Sequence, residues 1–259
     1  MSISYGDVAV SFMTRRSFHF QIAALFAAAS PSLRYLVLDI PSQRLSANWP
    51  DSRSSISFGS LLKPFLILAY AKTHARFPEV MCYGTASGCW LPKGHGKQMV
   101  CPALANSCNT YFLALAAGID RAALANVCLE YQLSPPSPTS APASWIGLKE
   151  GWPQSAEPVL RAFHHLVQNR SNPTAAVVLT GMVLCARKGT GKAAALHCFA
   201  KTGTAPCSHT PPAEGDGFAV LIYPTDAPRL ILLAAQHGTT GAHTAALAGE
   251  LLRSSFGVR

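Results

Sequence analysis

The chain is 259 residues long, 49% hydrophobic and 13% charged, which excludes a disordered polypeptide and supplies the core of one full-sized domain, or one domain built as two lobes. Its net charge of +9 comes from scattered basic residues with no Lys/Arg tract, zinc-finger spacing or aromatic–basic alternation, which argues against nucleic acid as a partner. A basic exterior is compatible with an anionic cell-wall environment.

The first elements lie near the N-terminus. Thr14-Arg15-Arg16-Ser17-Phe18 precedes a short apolar run that ends Ala24-Leu25-Phe26-Ala27-Ala28-Ala29-Ser30. Two arginines, an apolar core and an A-x-A end predict an export signal over residues 1–29, and with it a periplasmic or extracytoplasmic location. The competing reading, favoured by His19 and Gln21 inside the run, is an extension followed by the first helix of the domain. The run is short for a membrane span.

Leu33–Ile40 reads as a strand, Pro41-Ser42 as a turn and Arg44–Asn48 as a second strand. After the polar loop Pro50–Ser57 comes Phe58-Gly59-Ser60-Leu61-Leu62-Lys63-Pro64-Phe65, read as the start of a helix running to about Ala71. Residues at i and i+3 of a helix share a face, so the Ser60 hydroxyl and the Lys63 amine can meet. Pro64 is tolerated because first-turn N–H groups have no intrahelical partner. The pattern then predicts a loop from Met81 and helices over Pro102–Ala117 and Arg121–Tyr131. Leu133–Ala143 is rich in Pro and Ser and reads as a loop. Helices follow near Ser155–Gln168 and Thr174–Arg187, then strands over His197–Pro206, Gly217–Tyr223 and Arg229–Gln236, and a final helix Thr244–Phe256. This order predicts an α+β fold: an antiparallel sheet of about five strands flanked by helices, with a helical lobe inserted at about 70–190 in a single domain spanning 30–259.

Eight cysteines are many for a cytosolic enzyme, none forms C-x-x-C, and their spacings fit no zinc template. In an exported protein Cys82, Cys89, Cys101 and Cys108 are close enough along the chain for disulfides, with connectivity left open. Cys128 and Cys185 read equally well as buried thiols.

Three short motifs occur in one order: Ser60-x-x-Lys63, Ser107-Cys108-Asn109 and Lys201-Thr202-Gly203. Their contexts, FGSLLKPF, NSCNTYF and AKTGTAP, resemble the matching motifs of penicillin-binding protein transpeptidases, members of the serine DD-peptidase/β-lactamase superfamily. Thr180-Gly181-Met182 and Gly189-Thr190-Gly191 also resemble the helix and loop that precede the third motif in that family. The resemblance runs from about Leu33 to Leu252.

What the resemblance implies is an acyl transfer. Ser60 would attack the carbonyl, Lys63 would take its proton, and Ser107 would relay a proton to the leaving amine. Asn109 would bind substrate or hold Lys63. Lys201 would face the site from the strand edge, helping to keep Lys63 neutral and attracting a terminal carboxylate. The Thr202 and Thr204 hydroxyls would bond that carboxylate, and Gly203 would leave room for substrate along the strand. The backbone N–H groups of Ser60 and Thr204 would form the oxyanion hole. This chemistry requires no metal or organic cofactor.

Some features depart from the family. The sequence shows no glycosyltransferase region and no N-terminal pedestal. The motifs stand 47 and then 94 residues apart, closer than usual and more like class D β-lactamases or penicillin-sensor domains. Against class D, the second motif ends in Asn109 instead of an apolar residue, Thr204 follows K-T-G where an aromatic is expected, and Trp145-Ile146-Gly147 only faintly matches the tryptophan loop. Glu150 and Glu157 lie in the region, but neither is well placed to activate a deacylating water.

Other features take simpler readings. Lys93–Lys97 reads as a solvated basic turn and Gly189–Lys192 lacks the phosphate-loop pattern. His164-His165 lacks H-E-x-x-H, and His237 and His243 flank a plain Gly/Thr loop. Trp90 and Trp152 read as packing residues. The preferred reading is a serine acyl-transferase acting on the D-Ala-D-Ala end of peptidoglycan stem peptides, as DD-transpeptidase or DD-carboxypeptidase, acylated by β-lactams and working with a cell-wall synthesis or envelope partner. A β-lactamase, or a non-catalytic penicillin- or muropeptide-binding sensor domain, is the alternative.

Overall fold

A computed structural model of the chain describes residues 33–148, 151–207 and 215–258; the expected export signal lies outside them. Strands β1 (Arg34–Asp39) and β2 (Arg44–Asn48) form a hairpin, and a 3-10 turn over Gly59–Leu62 leads directly into helix α1 (Lys63–Ala71). A short hairpin follows, β3 (Val80–Cys82) with β4 (Gly96–Gln98), and then helices α2 (Val100–Ala105), α3 (Asn109–Ala117), α4 (Arg121–Glu130), α5 (Ala156–Gln168) and α6 (Pro173–Lys188). The chain returns through β5 (Phe199–Ala205), β6 (Asp216–Tyr223) and β7 (Leu230–His237), and ends in α7 (Gly241–Phe256).

The five long strands form one antiparallel sheet in the order β2-β1-β7-β6-β5, so β5 is an edge. β6 and β7 are nearly continuous apolar runs because both faces of the sheet are covered. Alternate residues divide between two cores. Phe218, Val220, Ile231 and Leu233 join the helical side with α1 and α5. Ala219, Leu221, Leu232 and Ala234 pack with Ala245, Ala248 and Leu252 of α7.

α1 is the axis of the helical side. Every residue from Lys63 to Ala69 is buried, and the Phe65 ring lies 5.4 Å from both the Tyr131 and Phe163 rings. Helix α4 starts on the Asp120 cap, whose carboxylate accepts from the Ala123 N–H, and α6 starts on Asn172 with Pro173 in its first turn.

Three expectations change. The helix expected over Pro102–Ala117 is two helices, broken at Asn106–Cys108. Its alanine-rich sequence favours a continuous helix, but tertiary donors claim the carbonyls at the break. Trp90 Nε1 donates to Asn106 O at 3.2 Å and Lys63 Nζ to Ser107 O at 3.1 Å, while Ser107 adopts φ +53°. The stretch after Met81 is a hairpin instead of a loop, and Lys97 of the basic segment lies on β4, paired with Glu79 at 2.6 Å. Cys82, Cys89, Cys101 and Cys108 are free thiols. Cys89 and Cys108 sulfurs stand 3.9 Å apart, far beyond the S–S bond length of about 2.05 Å. Among the described residues no single helix is long and apolar enough to cross a membrane.

Candidate active site

The three sequence motifs converge on one cleft of about 400 Å³. Ser60 stands on the 3-10 turn at its floor, half-buried. Ser107 and Asn109 come from the α2–α3 break, and Thr202, Gly203 and Thr204 from the edge strand β5. Lys63 and Lys201 are fully buried behind this lining.

Their amines are held from opposite sides of the Ser107 turn. Lys63 Nζ donates to Asn109 Oδ1 at 2.7 Å and to the Ser107 carbonyl at 3.1 Å. Lys201 Nζ donates to Ser107 Oγ at 3.1 Å and to the Thr202 carbonyl. Burial, then the charge of Lys201, pushes the Lys63 amine well below the usual lysine range. Burial, opposed in part by Cys185, brings Lys201 down to about 8. The Phe112 ring, 5.0 Å from Lys63 Nζ, completes the enclosure.

Two glycines bring the Ser60 turn and β5 into main-chain contact. Gly59 has φ +54°, and a Cβ there would meet the Thr204 carbonyl oxygen at 2.3 Å. A Cβ on Gly203 would meet the Phe58 carbonyl oxygen at 2.2 Å. The family resemblance implies that Gly203 leaves room for substrate along the strand. The structure gives a different physical reason: the missing side chain would point inward, against the turn that carries Ser60.

The Thr202 hydroxyl donates to Thr190 Oγ1 at 2.6 Å and is buried. Thr204 is exposed, and its hydroxyl accepts from the Gly241 N–H at 3.0 Å.

Other lining residues carried no site assignment in the sequence. Thr190 also donates its backbone N–H to Ala105 O at 3.1 Å, so it links the end of α2 to β5. Its signal was the Gly189-Thr190-Gly191 loop. Thr240 and Ala242 close one end at the start of α7, and Gly147 and Leu148 another. Trp90, read as packing, is 52% exposed and lines the cleft, whereas Trp152 is buried with Nε1 donating to Ser134 O. No carboxylate lines the cleft among the described residues. Glu157 pairs with Arg161 on α5 at 2.7 Å, and Glu150 lies outside the described residues. His237, paired with Asp216 at 2.8 Å, and His243 are not in the lining.

No protein-family model and no curated protein sequence matches the chain. Solved structures do. The transpeptidase domain of Burkholderia pseudomallei penicillin-binding protein 3 superposes with a TM-score of 0.69 at 16% identity, over 88% of this chain and 87% of that one. Penicillin-binding protein 2 of Pseudomonas aeruginosa gives 0.68 at 14% identity, over 87% of this chain and 73% of that one. A chain of a peptidoglycan synthase complex gives 0.70 at 14% identity; 88% of the present chain is covered, but it spans only 56% of the synthase chain's length. The chain therefore has the fold of the penicillin-binding transpeptidase domains.

Proposed function

We propose that the protein is a serine acyl-transferase that uses Ser60 on the D-Ala-D-Ala end of peptidoglycan stem peptides and is acylated by β-lactams. One observation carries the reading: Lys63, three residues after Ser60 of the cleft lining, is fully buried and held by Asn109 Oδ1 and the Ser107 carbonyl, and that burial lowers its pKa. A neutral lysine in that position can accept the serine proton at ordinary pH. Ser107 lies between the two amines and relays a proton to the leaving nitrogen. Lys201, with Thr204 and the Thr202–Thr190 hydroxyl pair, attracts the terminal carboxylate. The N–H groups of Ser60 and Thr204 belong to the two segments in main-chain contact and stabilise the developing oxyanion. Among the described residues no carboxylate lines the cleft, which favours a long-lived acyl-enzyme over a β-lactamase that activates water with a glutamate.

The reading includes export, and a partner in cell-wall synthesis. The partner is supported by the neighbours: one belongs to a peptidoglycan synthase complex, and another is Helicobacter pylori penicillin-binding protein 2 in complex with MreC. The test is intact mass over time after mixing with penicillin, with Ser60→Ala alongside. A persistent adduct that requires Ser60 is expected. An adduct that disappears within minutes makes the protein a β-lactamase, and no adduct removes the mechanism. An adduct without turnover of a D-Ala-D-Ala peptide assigns it as a sensor.

A further inference from the structure

The hairpin β3–β4 and the α2–α3 break bring four ligating side chains to one point: Cys82, Cys89, His95 and Cys108. Their ligand atoms all lie within 4.8 Å of one another. Cys82 Sγ is 3.6 Å and Cys89 Sγ 3.4 Å from His95 Nδ1, and Cys89 and Cys108 sulfurs are 3.9 Å apart. Zn–S bonds of about 2.3 Å and Zn–N bonds of about 2.0–2.1 Å set tetrahedral edges of about 3.8 Å between sulfurs and about 3.5 Å between sulfur and nitrogen. The three separations just given lie within about 0.2 Å of those edges, and the remaining pairs fall within 4.8 Å. Two thiols thus share one imidazole nitrogen, and the third stands against one of them.

We propose that these four residues form a closed Cys3His site for zinc. Three soft sulfurs and one imidazole select zinc over magnesium or calcium, and four protein ligands leave no open position, so the ion's role is structural. The surroundings suit bound thiolates. The cysteines are buried, and the Thr110 hydroxyl donates to Cys82 Sγ at 3.3 Å, a hydrogen bond that would orient and stabilise a ligating thiolate. Binding converts three thiols to thiolates and releases their protons to solvent. The site ties separate pieces of chain together. Cys82 ends β3, Cys89 and His95 lie in the hairpin loop, and Cys108 stands between Ser107 and Asn109. A bound ion therefore staples the hairpin, with Trp90 on it, to the turn that carries Ser107 and Asn109.

The experiment is metal analysis of the purified full chain, with cobalt(II) substitution. About one zinc per chain is expected after gel filtration, and the cobalt form should show the intense thiolate-to-metal absorption of a tetrahedral sulfur-rich site. Cys89→Ser and His95→Ala should lose the ion, while Cys128→Ser, a buried thiol on α4, keeps it. Zinc removal should speed amide hydrogen exchange in the β3–β4 hairpin and the Ser107–Asn109 turn, leaving β6 and β7 unchanged. The proposal is overturned if wild-type protein binds less than about 0.1 equivalents of zinc when supplied with it. It is also overturned if the cobalt form lacks sulfur charge transfer, or if the isolated protein carries a Cys89–Cys108 disulfide. Each readout is independent of penicillin acylation, so it stands or fails apart from the proposed function.

Discussion

Lys63 Nζ lies 2.7 Å from Asn109 Oδ1, and the two residues reach each other from α1 and α3 across the base of the cleft. A fully buried amine with so few partners depends on each of them. Removing the amide in Asn109→Ala forfeits a hydrogen bond to an ionisable group, about 1.5–3 kcal/mol. If that loss falls on the acylation transition state, the second-order rate of penicillin labelling drops about 10- to 150-fold. Stopped-flow or timed mass measurements check it, and an unchanged rate would remove Asn109 from the site.

The two lysines predict opposite limbs of a pH profile. In the proposed mechanism Lys63 acts when neutral, so acylation should rise with pH through its lowered pKa. Lys201 acts when charged, so carboxylate capture declines as pH passes about 8. Lys201→Ala removes a positive charge that lowers the Lys63 pKa, so the ascending limb moves to higher pH and the decline near 8 disappears. Asn109→Asp places an anion beside Lys63 and moves the ascending limb the same way. Rate–pH curves in which both variants keep the wild-type ascending limb would contradict the Lys63 assignment.

Gly59→Ala and Gly203→Ala each force a methyl group against a carbonyl oxygen, at 2.3 and 2.2 Å. Each is expected to cost about 1–3 kcal/mol, by overpacking and, at Gly59, by its positive φ. At about 2–4 °C per kcal/mol in a domain of this size, thermal melts should fall by about 2–12 °C. Gly257→Ala is the control, since its Cβ meets nothing within 4 Å although φ is +63°. Equal losses at Gly59 and Gly257 with none at Gly203, whose φ is not positive, would mean that φ, and not contact, sets the cost.

Trp90→Ala removes a half-exposed cleft wall whose one polar contact is the bond to Asn106 O. Stability should change by no more than about 1 kcal/mol, whereas saturation by penicillin should require several-fold more ligand. A large fall in melting temperature with unchanged saturation would make Trp90 a packing residue after all.

The sheet and the terminal helix were legible because their periodicity is strong: β5 to β7 and α7 match the expected segments within a few residues. The Ser60-x-x-Lys63 and Lys201-Thr202-Gly203 motifs sit at the start of α1 and on β5, elements that the sequence marks well. The β3–β4 hairpin was not, because three-residue strands give too little alternation to register. The break at Ser107 was hidden by alanines that favour helix locally and yield to Trp90 and Lys63, which arrive from elsewhere in the chain. The Cys/His cluster was missed for a related reason. Cys82 and His95 are 13 residues apart, Cys89 and Cys108 are 19, and only the unrecognised hairpin and break bring them together.

The contact between the Ser60 turn and β5 is made of main chain on both sides. No rotamer lies between Gly59 and Thr204, or between Gly203 and Phe58, so the separation of the Ser60 turn and the strand works as a ruler with no adjustable joint. Substitutions along the cleft walls can widen or narrow the entrance, but they leave that gauge untouched. Variants selected for poor labelling by bulky β-lactams should therefore collect at Trp90, Leu148 and Ala242, while the distance spanned by a terminal dipeptide stays constant.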